Sequence, residues 1–213
     1  MLPLSSHIPE LAVAAALAWA SGLRLYLVLF VVGFLGRFGA FDLPGHLQLL
    51  SHPIVLAASG FMVLVEFFAD KTPFFDSLWD AVHTFIRIPG GALLAAEMMG
   101  DTGDAAFWAA AILGGSVAAV VHGAKASSRA FINASPEPFS NWAASLSEDT
   151  LVLGGLWAAF QHPVPFLIGL CVFLAAAVWL IWRLAGFLRA VPSRLFARAR
   201  NGVPQSGSKK NAR

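Results

Sequence analysis

Charge is scarce in this chain: only 12% of its 213 residues are Asp, Glu, Lys or Arg, while 58% are hydrophobic. A water-soluble domain of this length carries about twice that charged fraction. Residues 164–181 include no charged side chain and are numerous enough to cross a bilayer as a helix. The composition therefore excludes an ordinary soluble domain and predicts an integral membrane protein.

Cysteine is almost absent as well, since Cys171 is the only one. A single cysteine cannot form an intramolecular disulfide and fits no metal-ligand spacing, so we expect a small buried hydrophobic residue. The H-E-x-x-H, G-x-S-x-G and P-loop motifs are missing too. We predict no cofactor, no metal site and no nucleic-acid partner.

Acidic residues are absent after Asp149, whereas eight of the fourteen Lys and Arg residues lie from Arg183 onward. A basic segment after the final span is the positive-inside signal, so we expect a cytoplasmic C-terminus. An even number of spans would place both termini on that side. Residues 191–213 are predicted to form a basic, disordered tail that contacts anionic lipid headgroups.

Hydrophobic runs and turn residues predict six helical elements in one membrane domain, residues 1–190, and no β-strand. The fold class is thus an all-α transmembrane helical bundle. The elements are expected at residues 10–37, 53–70, 73–100, 105–133, 150–162, and from 163 to about 188.

Local signals predict irregularities in these elements. Ser51 is expected to cap the second element and Ser147 the fifth. The sequence Pro89-Gly90-Gly91 is expected to kink or break the third element. The fifth element, at thirteen residues, is too short for an ordinary span.

The two halves of the chain, residues 11–99 and 105–188, share an order of features. Each has a long span with Ser and Arg, a polar loop ending in Leu-Ser, a shorter span and a third span. Three spans in each half would insert the halves upside down relative to each other, as in many transporters. The alternative is chance likeness between two membrane segments.

The segment PFFDSLWDAVHTFIRIPGG, residues 73–91, concentrates ionisable side chains. At 100° per residue, Asp76, Asp80, His83 and Arg87 fall on one helix face, which we call the charged stripe. The opposite face is apolar. One interpretation is an amphipathic helix lying in the headgroup region. The other is a membrane helix whose charged stripe meets a polar interior.

Other polar residues in apolar segments are candidate partners for the charged stripe. Asp80 and Arg129 are one candidate ion pair. Asp76, Asp80 and His83 are expected to carry a proton or cation, while the arginines would bind an anionic group or pair with the acids. The full candidate set for binding or relay comprises Arg24, Glu66, Asp70, Asp76, Asp80, His83, Arg87, Lys125, Arg129 and Asn133.

Three segments carry a resemblance to a known family. They are SGLRLYLVLFVVG (21–33), VEFFADKTPFFDSLWDAVHTFIRIPGGALLAA (65–96) and KASSRAFINASPEPFSNWAASLSED (125–149). They resemble domain of unknown function family 4126, a group of bacterial multi-spanning membrane proteins. The resemblance covers roughly residues 18–155 and implies a helical protein of the bacterial inner membrane. It transfers no substrate and no catalytic residue.

Three classes of function are compatible with these features. The favoured one is a small transporter or permease with a charged intramembrane site between two inverted halves, carrying a small ion or an anionic solute. The second is a structural or assembly protein whose ion pairs only hold helices together. The third is a membrane-embedded lipid-modifying enzyme. Small residues in the spans permit a homodimer without requiring one.

Overall fold

The computed structural model of the protein describes residues 7–40, 42–72, 75–133 and 138–201. These residues form six helices, and short 3₁₀ helices at Gly45–Ser51 and Gly100–Thr102 lie in two of the connections. No β-strand occurs in these ranges, which confirms the all-α fold class. The helices are α1 (Ile8–Arg37), α2 (Pro53–Ala69), α3 (Phe75–Met99), α4 (Asp104–Asn133), α5 (Pro138–Gln161) and α6 (Pro163–Asn201).

Judged by length and composition alone, and without regard to the bend in α1 described below, three helical segments could cross a membrane: α1, α4 and Pro163–Gly186 of α6. The helix α2 is apolar but only 17 residues long. The helix α3 carries four charged side chains, Asp76, Asp80, Arg87 and Glu97, and α5 carries two, Glu148 and Asp149. The apolar helices support the prediction of an integral membrane protein.

The helix α3 buries its charged face and exposes its apolar face, which is the reverse of a helix in a soluble protein. Asp76, Asp80 and Arg87 are at most 1% exposed, whereas Leu78 and Phe85 on the other side are 61% and 83% exposed. A charged face inside the protein and an apolar face outside suit a helix surrounded by lipid. The alternative of a surface helix with its polar face in water is therefore wrong.

The helix α1 turns back on itself at Arg24. This residue has non-helical backbone angles, φ −145° and ψ 73°. Glu10 and Leu35 line the same cavity of about 530 Å³. In a straight helix these two residues would be roughly 37 Å apart. The helix is thus a hairpin with a first arm, residues 8–23, and a second arm, residues 25–37.

Contacts along the two arms agree with this reversal. The first arm runs antiparallel to α5, with Trp19 packed on Gly155 and Arg24 bonded to Ser145. The second arm runs antiparallel to α2, with Arg24 paired to Asp70, Phe30 packed on Gly60 and Gly33 packed on Leu56. Both arms therefore lead away from Arg24 in the same direction.

The hairpin places the start of α1 and the course of α6 toward opposite ends of the bundle. His7, Asp42 and Asp101 line one cavity, so the start of α1 lies beside the two 3₁₀ connections at what we call the Asp101 end. The helix α6 begins at this end and runs away from it, toward the Asn133 end, where α4 finishes. The start of α1 and the described end of α6 therefore lie at opposite ends of the bundle, which differs from the expectation that both termini lie on one side, because α1 is a hairpin and not a single span.

Several predicted boundaries also differ from the structure. The side chain of His52, not Ser51, caps α2 by accepting a hydrogen bond from the Ile54 amide at 3.3 Å. The helix α5 begins at Pro138, so Ser147 lies inside it and donates to the Ala144 carbonyl. The fifth element is therefore a helix of 24 residues and not a short one.

Three further expectations differ from the structure. Pro89 lies within a continuous α3, so the helix is not broken there, and the non-helical backbone occurs in α1 at Arg24 instead. Cys171 is exposed on α6, not buried. The helix α6 continues to Asn201, into the segment predicted to be disordered. The rest of that segment, residues 202–213, lies outside the described residues.

Close backbone contact joins the first arm, α3 and α4. A Cβ atom added to Gly91 would lie 2.7 Å from the Ala118 Cβ atom and 3.3 Å from the Ala18 carbonyl oxygen. Real Cβ atoms do not approach another carbon that closely, so only glycine fits at position 91, where α3 meets α4 and the first arm. Small residues commonly allow such approach in membranes.

Gly91→Ala is therefore expected to destabilise the protein by about 1–3 kcal/mol, the usual effect of overpacking. Thermal unfolding of the detergent-solubilised protein would measure the change. Gly154→Ala is the matched control, because no atom lies within 4 Å of a Cβ added there. Equal stability of the two variants would show that this crossing is not close-packed.

Candidate functional site

All ten polar residues singled out in the sequence are buried, and Asn133, at 7%, is the most exposed of them. Nine of the ten lie in or next to one continuous cluster between α2, α3, α4, α5 and the tip of the α1 hairpin; His83 lies apart. We define the charged cluster as the following side chains: Arg24, Glu66, Asp70, Lys71, Asp76, Asp80, Arg87, Lys125, Arg129, Glu148 and Asp149.

Asp70 is the centre of the charged cluster. It follows the last residue of α2, and its Oδ2 atom lies 2.5 Å from Arg24 Nη1, 3.1 Å from Lys125 Nζ and 3.8 Å from Arg129 Nη2. The backbone carbonyl of Asp70 also accepts a hydrogen bond from Arg129 at 3.2 Å. One fully buried carboxylate thus holds cations from α1 and α4.

Arg24 reaches this centre because α1 breaks at that residue. Its guanidinium also lies 2.9 Å from the Asp149 carboxylate and donates to the Ser145 hydroxyl at 2.7 Å. Lys125 donates to the Leu23 carbonyl at 3.1 Å, next to the break. Interrupted helix backbone is tolerated in a membrane only where other groups satisfy it, and Lys125 does so here.

Sequence reasoning missed the contribution of α5. Glu148 pairs with Lys125 at 3.2 Å and with Arg129 at 3.0 Å, and Asn141 is fully buried beside them. These residues had been placed in a loop or at a helix start. The pattern that could have found them is helical, because every third or fourth residue is buried: Asn141, Ser145, Glu148, Val152, Leu156 and Ala159.

Arg87 organises the second part of the charged cluster. Its guanidinium binds Glu66 of α2 and donates to Asp80 at 2.7 Å. It also donates to His122 Nδ1 at 3.3 Å. Because arginine can only donate, His122 Nδ1 is the acceptor, and the proton resides on Nε2, which donates to the Thr84 hydroxyl at 2.7 Å. The hydrogen bonds therefore fix His122 as the neutral tautomer.

The charged stripe does not converge on one site. Asp80 faces Arg87 and Lys125, whereas His83 bonds to the Tyr26 hydroxyl at 3.1 Å and to the Trp79 carbonyl at 2.8 Å. Within the described residues, Asp80 and Arg129 do not form the predicted ion pair, because Arg129 pairs with Glu148 of α5 and with Asp70, which follows α2. Asp80 and His83 thus contact different groups.

Several buried carboxylate oxygens have no hydrogen-bond donor in the part of the chain that the structure describes. They are Asp70 Oδ1, Asp76 Oδ2, Asp80 Oδ2 and Glu148 Oε2. Buried polar atoms in proteins are almost always bonded to protein or to water. Ordered water is the usual partner of such oxygens. The described residues contain no group of three or more His, Cys, Asp or Glu side chains suited to a metal ion.

A family model described as Domain of unknown function (DUF4126) matches residues 11–183. The chain belongs to this family. The match confirms the resemblance and covers all eleven side chains of the charged cluster. No curated protein and no solved structure matches the chain.

Neutralising Asp70 is expected to destabilise the protein by about 3–5 kcal/mol, because three buried cations would lose their shared counter-charge. Thermal unfolding of Asp70→Asn in detergent, followed by tryptophan fluorescence, measures this loss. Asp101→Asn removes an exposed carboxylate and is the control. If both variants unfold at the wild-type temperature, the charged cluster does not hold the helices.

Proposed function

We propose that the protein is a small permease of the bacterial inner membrane that moves a small ion through the charged cluster. The observation that carries this proposal is the charged cluster itself, in which acidic and basic side chains from five helices are buried inside an apolar protein. Ionisable residues buried within membrane segments commonly mark ion or proton pathways.

The distribution of charge supports an orientation for this permease. The Asp101 end carries Glu10, Asp42, Asp101 and Asp104, with Arg37 as its basic residue among those described. The Asn133 end carries Lys71 and the last part of α6, whose basic residues are Arg183, Arg189, Arg194, Arg198 and Arg200. The positive-inside rule then places the Asn133 end and the C-terminus in the cytoplasm and the start of α1 outside.

An apolar layer separates the charged cluster from the Asp101 end. It consists of buried side chains from the hairpin arms, α3 and α5, including Leu17, Val32, Leu94 and Leu156. An ion that enters from the cytoplasm would stop at this layer. Transport therefore needs the apolar layer to open. The α1 hairpin is the element expected to move, because its tip is held by ion pairs and not by continuous helix.

Two observations support the inverted relation of residues 11–99 and 105–188. The second arm, α2 and α3 run in directions opposite to α4, α5 and α6. In addition, Arg24 of the first half pairs with Asp149 of α5, while Arg129 of the second half pairs with Asp70 at the end of α2. The first half has four segments, and its first arm has no counterpart in the second half. The inverted relation would therefore hold for the second arm, α2 and α3.

A structural role is the second candidate, and the sharing of Asp70 by three cations favours it. In that case the charged cluster would fix the helices and carry no ion. The two candidates differ in one respect: only a permease gives ion currents that depend on the carboxylates of the charged cluster.

The test is electrical recording from purified protein in liposomes adsorbed to a solid support, with concentration jumps of protons, sodium, potassium, chloride and phosphate in turn. We expect a current with at least one of these ions and its loss in Asp80→Asn, which removes the charge beside Lys125 and Arg87. Asp101→Asn should retain the current. No current with any of the five ions, or an unchanged current in folded Asp80→Asn, would contradict the proposal.

A further inference from the structure

The charged cluster has one negative charge in excess. Six carboxylates face five basic side chains in it, because each histidine nearby is neutral or lies apart. Burial lowers the pKa of the Lys71 ammonium, and the attraction of Asp149 offsets only part of this decrease. Loss of the positive charge on Lys71 would enlarge the negative excess of the charged cluster. An uncompensated charge in this environment costs several kcal/mol. Protonation of one carboxylate would compensate the excess found among the described residues.

Asp76 is the carboxylate without a basic partner. Glu66, Asp70, Asp80 and Glu148 each form an ion pair within 4 Å, and Asp149 pairs with Arg24. Asp76 forms none with the described residues, although it is fully buried. The excess charge therefore belongs to this residue.

The two oxygens of Asp76 have different surroundings. Oδ1 accepts hydrogen bonds from the Asn133 amide at 2.7 Å and from the Ser77 backbone amide at 2.6 Å. Oδ2 has no donor among the described residues. Both donors to Asp76 are neutral, and no cation of the described residues lies within ion-pair distance of it, so burial here favours the protonated acid.

A metal ion does not fit the same position. Hard cations such as sodium or calcium need several oxygen ligands. Asn133 presents its nitrogen to Asp76, and its own oxygen is occupied by the Asn141 amide at 2.9 Å. Asp76 Oδ2 is thus the one free oxygen at this point of the described structure, and one oxygen suits a proton.

We infer that Asp76 is a proton-binding site at the cytoplasmic end of the charged cluster, holding its proton on Oδ2 at neutral pH. The charged groups that act on it are Arg129 of α4, which favours release, and Asp80 of α3, which favours retention. The facing residue of α5, Asn141, is neutral. This inference rests on the proposed function and names its ion: the permease would carry or be coupled to protons.

Infrared difference spectroscopy of the protein in lipid nanodiscs tests this site directly. A protonated carboxylic acid has a carbonyl stretch that a carboxylate lacks. We expect this band at neutral pH in wild type, its disappearance at alkaline pH, and its complete loss in Asp76→Asn. Asp101→Asn should retain it. Asp76→Glu, which keeps the acid, should shift the band and serves if the Asn variant does not fold.

Absence of the band in wild type at neutral pH, or its persistence in Asp76→Asn, would overturn the inference. The two proposals fail separately. Ion currents without an Asp76 band would leave the permease standing and remove the proton site. The band without any current would support the proton site and contradict transport.

Discussion

The ion pair between Arg24 and Asp70 is the interaction on which the rest of the structure depends. Both side chains are at most 2% exposed, and their charged atoms are 2.5 Å apart. Removing either ion from water costs several kcal/mol, so the pair is stable only because Lys125, Arg129 and Glu148 complete it. It joins the tip of the α1 hairpin to the end of α2 and gives α4 and α5 a common centre.

The same pair explains why α1 can break inside an apolar protein. A helix that loses backbone hydrogen bonds in hydrocarbon must find other partners for the exposed groups. Lys125 supplies one of them at the Leu23 carbonyl, and the carboxylates around Arg24 hold the broken segment in place. The break and the charged cluster therefore stabilise each other, and neither is expected to persist alone.

Sequence reasoning predicted what periodicity can encode and missed what distant contacts impose. The common helix face of Asp76, Asp80, His83 and Arg87 followed from their spacing, but whether that face meets water or the protein interior did not. The start of α5 was missed because its Pro, Ser and Asn residues are typical of loops. The turn at Arg24 carries no proline, and its partners Asp70, Lys125 and Asp149 are distant in sequence. No local rule could have located it.

The distance between the two ends of α1 tests the central claim most directly. Spin labels at residues 11 and 38, both exposed, in a Cys171→Ala background would report it by pulsed electron resonance. A straight helix would separate these positions by about 40 Å. Two packed arms lie about 10 Å apart axis to axis, so the account predicts a distribution centred below about 25 Å. A single distribution near the longer value would contradict the hairpin and with it the position of Arg24 in the charged cluster.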